Sequence, residues 1–341
     1  MFGSVFDKAT GFLDKRFVLN LLLPSLAFWG GLALLAAQGA GWKAATHWWT
    51  ARSGFEQVLL VGASVTGLTL FAFVVSGQVT ALTRLWEGYW PGGTDSWLAA
   101  RRIKYHTGKW NRLRTDQDVD YMRRFYGFPV RKADVLPTRL GNVLRAAEDY
   151  PGDDERYGMD AVFYWPRLYL VLPTDTRTLV EDYRSGLDRM ILAASLAVVF
   201  PLVSLVVLAL AHTSWLAWAI SATVALLAAA TAYQAAVSAA VAFGDVVRAC
   251  FDTYRRTLLQ QVGLAPPTSL EDERELWGTL KQQLYQRGTD NPSLLVWATE
   301  KDRAASGPPR RRRRGRAGEP RTAGIRQPQP NALLRDRLHR K

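Results

Sequence analysis

Four arginines in the middle of the chain are the residues best suited to bind an anionic ligand. The planar guanidinium group matches the geometry of carboxylate and phosphate oxygens. Acidic residues stand between these arginines in similar number, so the set also fits an internal salt-bridge network. We favour that network over an anion or partner site. The four arginines are Arg139, Arg145, Arg156 and Arg167.

Two rows of hydroxyl residues lie in apolar segments. Their spacings of three, four or seven positions put each row on one face of a helix. Such rows let helices approach closely, or they line a pore. We favour packing, because no ionisable residue lies in the middle of either segment, where transporters and proton relays need one. The rows contain Thr66, Thr69, Ser76 and Thr80 in one segment and Thr231 and Ser238 in the other.

The residues that other chemistry requires are scattered or missing. The chain has four histidines without metal-site spacing and one cysteine, Cys250, which excludes an intrachain disulfide. The glycines around Ser64 miss the nucleophile-elbow pattern by one position, and Gly108 lacks the rest of a phosphate-binding loop. The sequence therefore predicts no metal, no cofactor and no enzymatic activity.

Four apolar runs must position these residues. Each exceeds the roughly 20 residues that a helix needs to cross a hydrocarbon core, and the only charged residues in them are Asp188 and Arg189, at the start of the third run. They predict a mainly α-helical protein with a four-helix transmembrane bundle. The runs cover residues 17–37, 58–82, 187–211 and 216–243.

Basic residues near the ends of these runs predict their orientation. The side that carries most Lys and Arg next to the spans faces the cytoplasm. The opposite side has only Lys43 and Arg52 between the first two runs and neither residue type between the last two. We therefore expect the N-terminus, the middle loop and the C-terminus to be cytoplasmic. The basic side contains Lys8, Lys15, Arg16, Arg84, Arg101, Arg102, Lys104, Arg184, Arg189, Arg248, Arg255 and Arg256.

The middle segment, residues 86–186, predicts a mostly helical cytoplasmic domain. We expect a first helix through Ser96–Arg102, a second from Thr138 to Glu148, and a short one over Asp160–Trp165 that Pro166 stops. A further helix begins near Thr176, capped by Thr174 or Asp175, and we expect it to run through Gly186 into the third span.

Two more helices are predicted beyond the fourth span, within residues 244–303. The fourth helix should continue to Gln261, with an apolar stripe that packs on the middle domain. A capping box at Thr268–Glu271 should start the other helix, whose apolar face needs a cover. That face contains Leu276, Trp277, Leu280 and Leu284.

The C-terminal tail, residues 304–341, is rich in Pro, Gly and Arg and is expected to be disordered. Its twelve basic and two acidic residues give it a net charge of +10, out of +13 for the chain. We expect the run Arg310, Arg311, Arg312, Arg313 and Arg314 to contact anionic lipid headgroups. Nucleic acid is the less favoured partner.

Several segments resemble a group of uncharacterised bacterial integral membrane proteins. The resemblance rests on the Pro-Thr-Arg-Leu-Gly-Asn run that begins at Pro137, on Arg156–Val162, on Trp165–Leu168, on Leu13–Asn20 and on Phe251–Arg256. It implies two helices on each side of a cytoplasmic domain, with the first pair in residues 1–85 and the second in 187–243. It implies a location in the inner (plasma) membrane of a bacterium and no activity. We expect a membrane-anchored scaffold or oligomeric subunit that recruits a cytoplasmic protein or further copies of itself, and the alternative is a channel lined by spans two and four.

Overall fold

The computed structural model describes residues 22–93, 96–115, 127–153, 156–211, 213–285 and 295–299. Over these ranges the chain is mainly α-helical, with ten α-helices and no named β-strand. The start of the first apolar run, the segment Leu13–Asn20 and the arginine run of the tail lie outside them.

The helices follow one another with short connections, including two 3₁₀ turns at Lys132–Asp134 and Tyr150–Gly152. They are α1 Leu23–Ala40, α2 Trp42–Thr50, α3 Gly54–Ser76, α4 Val79–Glu87, α5 Trp97–Thr115, α6 Arg139–Asp149, α7 Ala161–Val171, α8 Thr174–Leu210, α9 Trp215–Val262 and α10 Leu270–Tyr285.

Four of these helices, α1, α3, α8 and α9, are long and apolar enough to cross a membrane. This confirms the four predicted apolar helices. α8 and α9 pair along their length, and α1 packs on α8. Near the middle of the bundle, the Phe28 ring lies 6.0 Å from that of Phe71 on α3 and 6.0 Å from that of Phe200 on α8, centroid to centroid.

The α1–α3 connection and the α8–α9 connection lie at the same end of the bundle, here called the loop side. Thr213, next to α9, donates a hydrogen bond to the carbonyl oxygen of Leu35 on α1 at 3.3 Å. A Cβ atom on Gly39 would overlap the carbonyl oxygen of Ala211, so α1 and the end of α8 touch there. The opposite end, where the remaining helices gather, is called the domain side.

The second predicted span is wrong at its end. Residues 58–82 were expected to form one helix, but α3 ends at Ser76 and α4 begins at Val79 after a two-residue turn. Trp86 of α4 donates a hydrogen bond from Nε1 to Ser195 Oγ at 2.8 Å. This bond holds the end of α4 against α8, while Gly77 and Gln78 between the two helices keep right-handed helical backbone angles.

Depth along the bundle shows how α4 lies. Phe71 and Phe200 are in register through Phe28. Ser76 is five residues from Phe71 towards the domain side, and Ser195 is five residues from Phe200 in the same direction, about 7 Å in each case. Trp86, near the end of α4, reaches this depth through its bond to Ser195.

That depth is near one membrane thickness from the loop side. Ser195 is fifteen residues from Leu210, the loop-side end of α8, or about 22 Å. Tyr233, whose ring lies 5.3 Å from that of Trp86, is eighteen residues from Trp215 at the start of α9, or about 27 Å. A hydrocarbon core of about 30 Å that begins at the loop side would end close to Trp86.

Helices α8 and α9 continue from the candidate spans into the domain without a break, over 37 and 48 residues. The predicted passage of α8 through Gly186 is confirmed. Its start at Thr174 follows Pro173, without the expected side-chain cap. Inside α8, Pro201 removes one backbone donor, and Trp218 of α9 binds this turn through Ser204 Oγ at 3.0 Å.

The domain core is formed by α7, the end of α9 and α10. The predicted apolar stripe on α9 is confirmed, because Val247, Cys250, Phe251 and Leu258 are buried there. On α10, three of the four predicted face residues are buried, whereas Leu284 is exposed. Trp277 of α10 packs edge-on against Tyr164 of α7, whose hydroxyl donates to the Trp277 carbonyl oxygen at 2.5 Å.

Two local predictions in the domain need correction. Pro166 does not stop the helix expected over Asp160–Trp165, since α7 extends to Val171 with the proline inside it. The proline's missing N–H leaves the Val162 carbonyl oxygen without a helical donor. In the same turn the Arg167 guanidinium donates to the Phe163 carbonyl oxygen at 2.6 Å. The capping box of α10 is formed one residue later than predicted, by Ser269 and Asp272.

Candidate functional site

The junction between the candidate spans and the domain is built around Asn142 of α6. This side chain is fully buried and makes three hydrogen bonds. Its Oδ1 accepts from the Leu136 N–H at 2.8 Å, and its Nδ2 donates to the carbonyl oxygens of Leu136 at 2.9 Å and Thr138 at 2.7 Å. The segment before α6 is therefore held in one conformation.

The start of α6 is also held against the end of α4. Thr138, where the helix was expected to begin, is its N-cap and accepts from the Gly141 N–H at 3.0 Å. The same hydroxyl donates to the Glu87 carbonyl oxygen at 2.8 Å. A Cβ atom on Gly141 would overlap that oxygen, so the close approach requires glycine. The Leu140 N–H makes a further contact, because it donates a hydrogen bond to the Tyr233 hydroxyl of α9 at 3.4 Å.

Glu87 is a perturbed carboxyl group at this junction. Burial, and secondarily the neighbouring carboxylate of Glu148, raise the pKa of Glu87 to about 7, while Arg184 and Arg84 act in the opposite direction. A carboxyl group with such a pKa changes its charge in the physiological range, which is a property of many functional sites. The sequence alone does not mark Glu87, because the charged residues that shift its pKa belong to three different helices.

The candidate arginines have different side-chain neighbours. Arg145 forms ion pairs with Asp134 at 3.6 Å, Glu148 at 3.5 Å and Asp149 at 3.1 Å. Arg156 lies over the Tyr150 ring, 3.9 Å from its centroid.

The other two arginines have different surroundings again. Arg167 lies over the Phe163 ring at 3.8 Å, and the exposed Arg139 is close enough to His106 to influence its pKa. These surroundings favour structural roles for the four over a shared anion site.

The hydroxyl residues bond mainly within their own helices. Thr69 donates to Val65 and Ser76 to Phe73, at 2.8 and 2.6 Å. On α9, Thr231 and Ser238 likewise donate to carbonyl oxygens three and four residues earlier. Thr66 and Thr80 are exposed on α3 and α4. The bonds satisfy these hydroxyls in an apolar environment, as helix packing or lipid exposure requires.

Two cavities lie along α8. One, of about 600 Å³, is an apolar groove between α1, α8 and α9, lined in part by Phe28, Gly31, Ala197 and Ala228. The other, of about 490 Å³, lies on the domain side, with aromatic and charged residues together. Its lining includes Trp165, Tyr169, Phe243, Arg184 and Asp188.

Helix α5 has a strongly basic exposed surface. Only Arg101, Arg102 and Lys104 of this helix were among the residues that predicted the orientation. Its 19 residues contain six Lys/Arg and no Asp or Glu. Its buried face contains Ala99, His106 and Trp110, and Trp110 donates from Nε1 to the Pro129 carbonyl oxygen at 3.0 Å. The seven- and four-residue spacing of these three residues was the signal that could have located the face.

Among the described residues, no group of three or more His, Cys, Asp or Glu side chains is placed to hold a metal ion. No protein-family model, curated protein or solved structure matches the chain.

Proposed function

We propose that this chain is an integral membrane protein that crosses the bilayer four times and serves as a membrane-anchored scaffold. Its helical domain, on the cytoplasmic side, recruits a protein partner or further copies of the chain. The observation that carries the proposal is the continuity of α8 and α9, which run from candidate spans into the domain core. A rigid connection of this kind holds a docking surface at a fixed distance from the membrane.

The distribution of charge supports the orientation. On the loop side, the described connections carry Lys43 and Arg52. The domain side carries the basic residues of α4, α5 and the domain-side parts of α8 and α9. Since positively charged loops stay on the cytoplasmic side, the domain side should face the cytoplasm.

The surface of the domain supports the scaffold role. Val162 and Leu170 on α7 are 70 % and 75 % exposed, although the opposite face of that helix is in the core. Exposed apolar residues on a folded domain are a common property of protein-binding surfaces.

The orientation can be tested with single cysteines in intact cells. The native Cys250 is 2 % exposed and should not react. A cysteine at Lys43 should react with a membrane-impermeant maleimide from outside, and one at Lys132 should react only after permeabilisation. The reverse pattern, or equal reaction at both positions, would refute the proposed topology.

The scaffold role can be tested with photo-crosslinkers at Val162 and Leu170, with Leu202 as the control. Leu202 is 66 % exposed but lies in a candidate span. We expect the two domain positions to crosslink to a second copy or to one discrete protein, and the control to crosslink to lipid. Absence of protein crosslinks at both positions would contradict the proposal, as would ion conductance by the purified chain in planar bilayers.

A further inference from the structure

We infer that α5 is an interfacial helix whose exposed face binds the headgroups of anionic phospholipids on the domain side of the membrane. The inference rests on the proposed membrane insertion and adds a lipid partner to it. It concerns a structured helix and is separate from the lipid contact expected of the tail.

The exposed face of α5 combines aromatic rings with positive charge. It lies opposite the buried row of Ala99, His106 and Trp110. Trp97 is 73 % exposed and Tyr105 is 54 % exposed, although both have large apolar rings. The exposed side chains on this face are Trp97, Arg101, Lys104, Tyr105, Lys109 and Arg112.

The charges and the rings are paired along the helix. The Arg101 guanidinium carbon lies 5.7 Å from the centroid of the Trp97 ring, and Lys109 Nζ lies 4.6 Å from that of Tyr105. α5 itself supplies no carboxylate to neutralise these groups. Amphipathic rings next to Lys and Arg are typical of helices that lie at the headgroup level of an anionic leaflet.

Contacts hold α5 at the boundary of the bundle. Arg102, near its middle, donates from Nε to the Pro137 carbonyl oxygen at 3.4 Å. The Pro137 ring packs so closely against Gly88 that a Cβ atom on Gly88 would overlap it. Gly88 follows Trp86 by two residues, and Trp86 lies where a hydrocarbon core beginning at the loop side would end. The exposed face of α5 is therefore presented close to the headgroup layer.

Nucleic acid is the other polyanion that a basic, aromatic surface fits. The position of α5 favours lipid, because membrane insertion of the spans already places the helix next to an anionic leaflet. Nucleic acid would have to reach it by diffusion. The cytoplasmic leaflet attracts basic segments, and the contribution of each Lys or Arg corresponds to a roughly fivefold change in partition.

The experiment measures the depth of a spin label in the full chain reconstituted into nanodiscs. Gly108 lies on the exposed face, and nothing lies within 4 Å of its Cβ position, so Gly108→Cys should fold normally. Gly278→Cys on α10 is the matched control, since its Cβ position is equally open. Leu202→Cys reports whether α8 is in the hydrocarbon core. Collision with oxygen and with a water-soluble nickel chelate gives the depth of each label.

Discs of phosphatidylcholine are compared with an equal mixture of phosphatidylcholine and phosphatidylglycerol. We expect the label at 108 to move to headgroup depth in the mixture and to return towards water at high salt. The label at 278 should not respond. A variant with four neutralised residues should lose the response, by roughly fivefold for each charge. Its substitutions are Arg101→Gln, Lys104→Gln, Lys109→Gln and Arg112→Gln.

Two further outcomes would overturn the inference while leaving the proposed function intact. In the first, the label at 202 is in hydrocarbon but the label at 108 ignores phosphatidylglycerol. In the second, a labelled single-stranded oligonucleotide immobilises the label at 108 and phosphatidylglycerol does not. Neutralising Arg310 to Arg313 in the tail should leave the response at 108 in place, and its loss there would assign the lipid contact to the tail instead.

Discussion

His106 of α5 provides the sharpest test of how the helix is docked. The residue is 4 % exposed, and neither of its ring nitrogens has a hydrogen-bond partner among the described residues. Burial, followed by the positive charges of Arg102, Lys109 and Arg139, lowers the pKa of His106 to about 4. We expect the imidazole to be neutral at pH 7 and to oppose folding when it is protonated.

The magnitude follows from the difference between the folded and unfolded pKa values. Unfolded histidine has a pKa of about 6.5, so below that pH the unfolded chain binds more protons than the folded one and stability falls as pH falls. The loss is about 2 kcal/mol at pH 5 and approaches about 3 kcal/mol near pH 4. Above pH 6.5 the contribution is constant.

The perturbation is His106→Leu, with His47→Leu as the control because His47 is exposed. The free energy of unfolding of each full-length variant is measured in detergent between pH 7.5 and pH 5, with hydrogen exchange of α5 as a local readout. Since a buried polar group without partners is replaced by an apolar one, His106→Leu should be at least as stable as the parent at pH 7. At pH 5 it should exceed the parent by a further ~2 kcal/mol.

Two results would refute this reasoning. One is a parallel pH dependence in the parent and in His106→Leu, which would mean that the imidazole does not titrate differently in the two states. The other is a directly measured imidazole pKa near 6.5 in the folded protein, from a nuclear magnetic resonance titration of labelled histidine. His47→Leu should change neither the slope nor the midpoint.

Three other substitutions test the junction and the domain core by the thermal stability of the full chain. Gly141→Ala should cost about 1–3 kcal/mol because the new methyl group overlaps a backbone oxygen, whereas Gly67→Ala, with open space around it, should not destabilise. Asn142→Leu should cost on the order of 3 kcal/mol, since buried backbone groups lose their partners, and an unchanged melting temperature would contradict the described bonding. Glu273→Gln should cost about 3–5 kcal/mol because it leaves a largely buried arginine without its 2.8 Å ion pair, while the exposed Glu271→Gln should be neutral.

Local signals in the sequence predicted the helices well. The start of α6 near Thr138, the apolar stripe on α9 and the long apolar runs are encoded by neighbouring residues, so they can be seen without the fold. Pro166 was misjudged because tertiary packing can offset the cost of a proline inside a helix, and here Tyr164 and Leu168 bury one side of α7 in the core.

The bend after Ser76 and the titration of Glu87 could not be predicted in the same way. The first leads into α4, whose end contacts α8 through a bond between Trp86 and Ser195, residues far apart in the chain. The second depends on Glu148 and Arg184, which α6 and α8 bring to the end of α4. The different neighbours of the four arginines could not be predicted for the same reason. Such contacts are fixed by packing between helices and leave no periodic pattern.

The placement of α6 has a consequence for the order of events during synthesis. α6 leaves the ribosome before α8 and α9, yet its buried residues Leu140, Val143 and Leu144 pack on those later helices. The apolar side of α6 therefore stays uncovered until α8 and α9 have been synthesised and have folded. α10, the last described helix, closes the core around Trp277. A chain that stalls before α10 would present this unfinished core to proteases and chaperones.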